Sequence, residues 1–288
     1  MKIRAECIPC LLGRVLYETN LVDEKLGLKV MAEACRILSE KLEQYPCVSS
    51  EVATEVHAKA YQIIGKDPYF HLKKSANNTA EEMVPEILEK AKTEINKFRF
   101  FMLCAVAGNT LDFGIKGGLR DVRLLKTRFW DIVNEGFGID DSESIRRLIP
   151  GGKILYFTDN CGEIVFDRLL IEQIRELNPE YIAIVVKGEP VLSDATLEDA
   201  ISVGIDKIAD EILTTKGFAV GVNIHALGER LEMRIKEASL VIAKGMANYE
   251  ALSETQIHPI AYLLKAKCAP VAESIGAKTG DNVAKLIT

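Results

Sequence analysis

The sequence predicts an α/β protein in which a helical N-terminal region precedes a mainly parallel sheet. Two patterns carry this expectation. Apolar residues recur at three- and four-residue spacing in the first half, and after Pro150 short runs of strand formers alternate with helical stretches. Alternation of that kind implies parallel strands joined by right-handed crossovers.

In the first half, Met31, Ala34, Cys35, Leu38 and Leu42 mark one helical face, and Pro46 closes the segment. Residues 52–64 read as a second helix stopped by Gly65, with two more at 81–95 and 98–107, and no strand is expected before residue 100. Asp67-Pro68-Tyr69, followed by His71, Lys73 and Lys74, is either a helix start with a basic first turn or a reach toward a substrate anion. Residues 116–141, with Gly117-Gly118, Gly136 and Gly138, are either a connection between domains or hold another helix at 124–133. Beyond them, strands are expected at 153–157, 181–186, 211–213, 240–243 and 259–264, with a helix at 164–177 and others after 181–186 and 240–243. The expected division is a helical domain over 1–115 and an α/β domain over 116–288.

With 48% hydrophobic and 27% charged residues in 288 positions, the chain can bury a substantial core. A formal net charge of -6 argues against a nucleic-acid surface, which needs a basic patch. No apolar run approaches the roughly 20 residues that span a bilayer, and Met1-Lys2-Ile3-Arg4 is followed by no uninterrupted signal-peptide core. A cytoplasmic location is therefore expected, with neither nucleic acid nor membrane as partner. Seven cysteines, an odd number without an export signal, are expected to be reduced.

The chemistry gathers where the expected strands end. The first runs into Asp159-Asn160-Cys161-Gly162-Glu163, the second into Lys187-Gly188 and then Ser193-Asp194-Ala195-Thr196, and a later one into Lys244-Gly245. Parallel neighbours point their carboxyl ends the same way, so positions as far apart as 159 and 194 can meet in one pocket. Asp159, Asn160 and Asp194 would offer a hard cation two carboxylates and an amide oxygen, a set suited to Mg²⁺ or Mn²⁺. The alternative for Asp159 and Asn160, and for Ser193-Asp194, is a helix N-cap and nothing more. Lys244 is either a solvated lysine or a phosphate contact, Gly245 letting the phosphate approach the backbone. Asn109 and Asp112 fall where a helical stretch breaks at Gly108, and turn chemistry alone accounts for both.

Cys7-Ile8-Pro9-Cys10 could chelate a soft metal, cycle as a redox pair, or face a core; a structural zinc would need a second pair, and none exists. Cys161 has no nearby histidine to activate it as a nucleophile, and His57, His71, His225 and His258 form no metal spacing.

Together with Ala107-Gly108-Asn109-Thr110-Leu111-Asp112-Phe113-Gly114 and Ala243-Lys244-Gly245-Met246-Ala247-Asn248-Tyr249-Glu250, these strand-end motifs resemble the signatures of the metal-dependent damage-control phosphatases, the family known as domain of unknown function eighty-nine. The Cys7 and Cys10 pair resembles the hallmark of its subfamily I. The resemblance runs from Cys7 to about Cys268. It implies a three-layer α/β/α sandwich with a Rossmann-like sheet beside the helical region, and a phosphomonoesterase active on small phosphorylated metabolites with Mn²⁺, Ni²⁺, Co²⁺ or Mg²⁺. Matched residue by residue, the metal ligands fall on Asp159, Asn160 and Asp194, and the pocket-lining positions on Asn109, Asp112 and Lys244. Ser193 stands where many relatives have Asn and is carried as a polar pocket contact.

The mechanism this suggests is hydrolysis by an activated water, with Lys244 and helix N-termini neutralising charge on the phosphoryl oxygens and Glu163 or Asp112 orienting the water. Asp159 could alternatively form an aspartyl-phosphate. A nucleotide- or methyl-donor-binding transferase would want a GxGxxG loop after the first strand, which is missing. A non-catalytic scaffold would tolerate Asp159→Ala.

Overall fold

The computed structural model describes residues 1–109 and 122–288. The expected boundary at 115/116, and with it Asp112, lies outside the described residues. The N-terminal region is helical: α1 Cys7–Asn20, α2 Gly27–Leu42, α3 Ser49–Ile64, α4 Phe70–Glu81, α5 Val84–Ala91, α6 Lys97–Gly108 and α7 Val122–Glu135. It contains no strand among the described residues, only a single bridge between Lys2 and Val48. The one continuous helix expected at 81–95 is in fact a break. α4 ends at Glu81 and α5 restarts at Val84, with Pro85 in the first turn, where its missing N–H costs nothing.

The remainder alternates: β1 Ile139–Asp140, α8 Ser142–Arg147, β2 Lys153–Phe157, α9 Glu163–Glu176, β3 Tyr181–Val186, α10 Leu197–Ser202, β4 Glu211–Thr214, α11 Glu229–Glu237, β5 Leu240–Lys244, α12 Gly245–Leu252, β6 Ile260–Lys265, α13 Ala269–Ile275 and β7 Asn282–Ile287. The seven strands form one sheet in the order β1-β7-β6-β5-β2-β3-β4, parallel throughout except for the β6–β7 pair. β1 and β7 were not foreseen. β1 has two residues, and β7 carries Asn282 and Lys285 instead of an apolar run.

Strands buried on both faces read as near-continuous apolar runs, and β2 shows the consequence. Ile154 and Tyr156 join a core that also holds Val15 of α1, Val52 of α3, Phe101 of α6 and Leu169 of α9, so the N-terminal helices and one sheet face share a single apolar cluster. Leu155 and Phe157 face the opposite cluster, with Val241, Leu252, Leu264 and Val271. This is the three-layer α/β/α arrangement, and each aliphatic side chain fully buried in it stabilises the fold by about 1.5–3 kcal/mol. Among the described residues no helix is long and apolar enough to cross a membrane.

α6 positions the site from the helical side. It is apolar almost all round, from Phe98 to Ala107, which fits a helix buried on every side. Its last turn packs on α9 so tightly that a Cβ at Gly108 would lie 2.6 Å from the Phe166 ring. The next residue, Asn109, is thereby delivered to the carboxyl end of β2.

Candidate active site

Two loops that leave neighbouring strands pair with each other. β2 and β3 are in register at Phe157 and Val185, and the Thr158 amide and hydroxyl both donate to the Val185 carbonyl at 3.0 Å. The segment after β3 then folds back: the Ala195 amide donates to the Asp159 carbonyl at 2.8 Å and the Cys161 amide to the Ser193 carbonyl at 2.8 Å. A local antiparallel bridge sets Asn160 opposite Asp194. The capping explanation fails for all of these residues. The N-cap of α9 is Gly162, whose amide donates to Asn77 Oδ1 at 2.5 Å, and the N-cap of α10 is Thr196 in a capping box with Asp199.

Glu163 is the hub of the buried network behind them. Its Oε2 accepts from Asn109 Nδ2 at 2.8 Å and from Asn160 Nδ2 at 3.0 Å, while both amides also donate to Asp159 Oδ2, at 2.8 and 2.7 Å. Its Oε1 accepts from Lys244 Nζ at 2.6 Å. Because Asn160 gives its NH₂ to two carboxylates, its Oδ1 faces the other way and accepts from Ser193 Oγ at 2.6 Å. Asp194 is paired with Lys187 Nζ at 3.2 Å, and that lysine also donates to the carbonyls of Ala219 and Gly221.

Lys244 does not stand where a phosphate contact should. Its side chain is 0% exposed, and its ammonium group donates to Glu163, to Asp167 Oδ1 at 2.5 Å and to the Ala105 carbonyl at 3.0 Å. Three donors are thus matched by three acceptors within the protein. The space beside Gly245 is likewise filled by protein: with φ at +76°, an added Cβ would lie 1.8 Å from Asp159 Oδ2. Ser193 is buried and holds the Asn160 amide. Asp167, which sequence reasoning passed over, carries the second negative charge on Lys244 and accepts from the Tyr156 hydroxyl at 2.7 Å. Burial lifts its carboxyl to about 6, against the opposing pull of Lys244, while the two acids beside Lys244 outweigh its own burial and hold its pKa up.

Asp159, Asn160, Asp194 and Asn109 border one cavity of about 260 Å³. Arg14 and Lys267 bring positive charge to its wall, and Leu11, Ala53, Leu192, Val220 and Met246 make much of the rest apolar. Cys7, Cys10 and Cys268 line it too, none of them in a disulfide. Burial raises the Cys7 and Cys268 pKa values, so both are protonated at neutral pH and poor nucleophiles. Cys161 is buried away from the cavity, its pKa pushed far up by the same cause.

Among the described residues no three His, Cys, Asp or Glu side chains come together as ready-made metal ligands. A cation would therefore need the amide as well as the two carboxylates. The donor chemistry fits one. All three residues present oxygen, Asn160 Oδ1 has a second lone pair beyond the one Ser193 uses, and Asn109 Oδ1 is buried beside them with no hydrogen-bond partner among the described residues. Charge agrees: four buried carboxylates, Asp159, Glu163, Asp167 and Asp194, gather here around the buried ammonium groups Lys187 and Lys244.

Against known families, residues 3–283 match the damage-control phosphatase ARMT1-like domain. The chain belongs to this family. A protein named damage-control phosphatase from Archaeoglobus fulgidus is 41% identical over 294 residues, covering 100% of both chains. A damage-control phosphatase of Pyrococcus horikoshii is 29% identical, with 97% of this chain and 96% of the relative covered. The crystal structure of a DUF89 family protein from the same organism superposes with a TM-score of 0.87 at 28% identity, over 99% of each chain.

Several residues around this cavity had no signal in sequence taken singly: Lys267, Arg14 and the buried pair Glu18 and His57. One signal was available for Asp167. Glu163 and Asp167 lie four apart on α9 among Ile164, Val165, Phe166, Leu169 and Leu170, and two acids one turn apart on the buried face of a helix call for a buried cation.

Proposed function

We propose that the chain hydrolyses phosphomonoesters of small metabolites, such as sugar phosphates, damaged nucleotides or phosphopantetheine-type compounds, with a divalent cation held by Asp159, Asn160 and Asp194. The supporting observation is that the paired loops after β2 and β3 bring these three oxygen-bearing side chains to one cavity, above a buried network rich in carboxylates. A cation bound there, Mn²⁺, Ni²⁺, Co²⁺ or Mg²⁺, would supply Lewis-acid polarisation of the phosphoryl oxygens and of water.

The chain's own residues do the rest. Asn109 and Asn160 hold Asp159 by its Oδ2, and Glu163 fixes both amides, so the carboxylate is oriented before substrate arrives. Lys244 neutralises Glu163 and Asp167 from below, a positioning role. With both its oxygens engaged, Glu163 positions the site and does not act as base. Lys267 and Arg14 line the cavity and offset the charge of a phosphate dianion. Attack by water fits this geometry better than attack by Asp159, whose Oδ2 is tied to two amides.

The test is a screen of phosphate release from sugar phosphates, nucleotides and phosphopantetheine compounds, after chelation and with each of the four cations added back. Cation-restored release from at least one class supports the proposal; release unaffected by chelation contradicts it.

A further inference from the structure

His57, on α3, and Glu18, on α1, form a buried pair that the phosphatase reading leaves unused. Both are essentially inaccessible, at 1% and 0% of their surface. Nδ1 of the imidazole lies 2.9 Å from Glu18 Oε1 and 3.1 Å from Oε2. Among the described residues the hydrogen bonds of Glu18 go to His57 alone. A carboxylate sealed from water in this way is costly unless a proton-donating partner faces it, and His57 Nδ1 is the group placed to be that partner. The ring is thereby fixed with Nε2 on its other edge, as in other carboxylate–histidine pairs.

The placement makes this more than a structural staple. His57 borders the same cavity as Asp159, Asn160 and Asp194, across from them on the helical side, and no described residue hydrogen-bonds its Nε2. A phosphomonoester whose phosphate lies against the strand-end residues would turn its alcohol part toward the helices. Lys244 and Glu163, engaged with each other, do not offer the departing oxygen a proton.

Resting on the phosphomonoesterase reading, we propose that His57, oriented by Glu18, is the general acid that protonates the leaving alcohol. As the water oxygen bonds to phosphorus, the bond from phosphorus to the ester oxygen breaks and that oxygen keeps the electron pair. It takes the proton from Nε2 and leaves as the alcohol. The phosphoryl group departs as dihydrogen phosphate with both water protons, and one of them returns through solvent to Nε2. One water is consumed and His57 is restored.

The experiment varies the leaving group. With the cation-loaded protein, kcat/KM is measured for alkyl phosphates, whose alcohols are poor leaving groups, and for 4-nitrophenyl phosphate, whose phenolate leaves without a proton. His57→Gln should lose about 10²-fold or more on alkyl phosphates and stay within roughly threefold on 4-nitrophenyl phosphate. Glu18→Gln should shift in the same direction by less. In the wild type, which needs no folding control, the rate across a series of aryl and alkyl phosphates should depend only weakly on the acidity of the leaving alcohol. An equal loss on both substrates, no loss on either, or a steep wild-type dependence would overturn the assignment while leaving the phosphatase reading intact. A wild type that hydrolyses none of the series sinks both.

Discussion

The Cα of Gly245 lies against the carboxylate of Asp159, with room for a hydrogen and not for a methyl group: a Cβ would stand 1.8 Å from Oδ2 and 2.3 Å from Cγ. The φ of +76° adds a second reason for glycine. The junction of β5 and α12 therefore delimits the position of an acid on the loop after β2. Gly245→Ala should cost about 1–2 kcal/mol of stability from the left-handed backbone and should displace Asp159, lowering kcat/KM at least tenfold. Urea unfolding and steady-state rates check the two parts. Full activity in the variant would show that Asp159 need not be held where it is.

Lys244 should matter to stability more than an ordinary lysine. Removing it leaves Glu163 and Asp167 buried without a counter-charge, and Lys244→Met should cost about 3–5 kcal/mol. Neutralising the acids in the same protein, with Glu163→Gln and Asp167→Asn, should recover most of that loss. Equilibrium denaturation of the single and triple variants decides it; a single variant as stable as wild type contradicts the buried-network account.

Asp167 sets a pH dependence whose sign follows from its raised pKa. The folded protein holds this proton more tightly than the unfolded chain, so its favourable contribution is complete below the ordinary aspartate range, near pH 4. It is lost as pH rises through about 6. Wild-type stability relative to Asp167→Asn should therefore decline across roughly pH 4 to 6 and then level off. Parallel stability profiles for the two proteins would remove Asp167 as the source.

Leu192, just before the loop residues Ser193 and Asp194, has φ at +48°, and its amide donates to the Tyr61 hydroxyl of α3 at 2.9 Å. A branched residue in the left-handed region is strained and persists only where its surroundings impose it. Tyr61→Phe should cost about 1 kcal/mol and weaken cation binding on the order of tenfold by loosening the loop that carries Asp194. Calorimetric titration with Mn²⁺ measures the second effect, and unchanged affinity would dissociate Tyr61 from the site.

Much of this architecture could be read in the sequence where local pattern is decisive. The apolar runs of β2, β3 and β5 stand between polar loops, and Asp159, Asn160 and Asp194 fall just beyond two of them, on the sheet edge where ligands bind. What pattern could not give was direction. Lys244 follows an apolar strand in either case, and whether its ammonium group rises to a phosphate or sinks toward α9 depends on Glu163 and Asp167 eighty residues earlier. Glu18 and His57 are 39 positions apart on different helices, with no spacing to connect them until α1 packs on α3. β7 stayed hidden because its partner strands, and not its own composition, make it a strand.

In the proposed reaction Asp159, Asn160 and Asp194 hold the cation that phosphate-ester hydrolysis requires. The most direct test is to titrate Mn²⁺ into chelator-treated protein while following phosphate release, comparing wild type with Asp194→Asn. No release is expected without metal, with saturable restoration in the wild type and, in the variant, at least a hundredfold lower activity with weakened metal dependence. Turnover that persists without metal, or an Asp194→Asn protein restored at the same Mn²⁺ concentration and to the same rate as wild type, would contradict it.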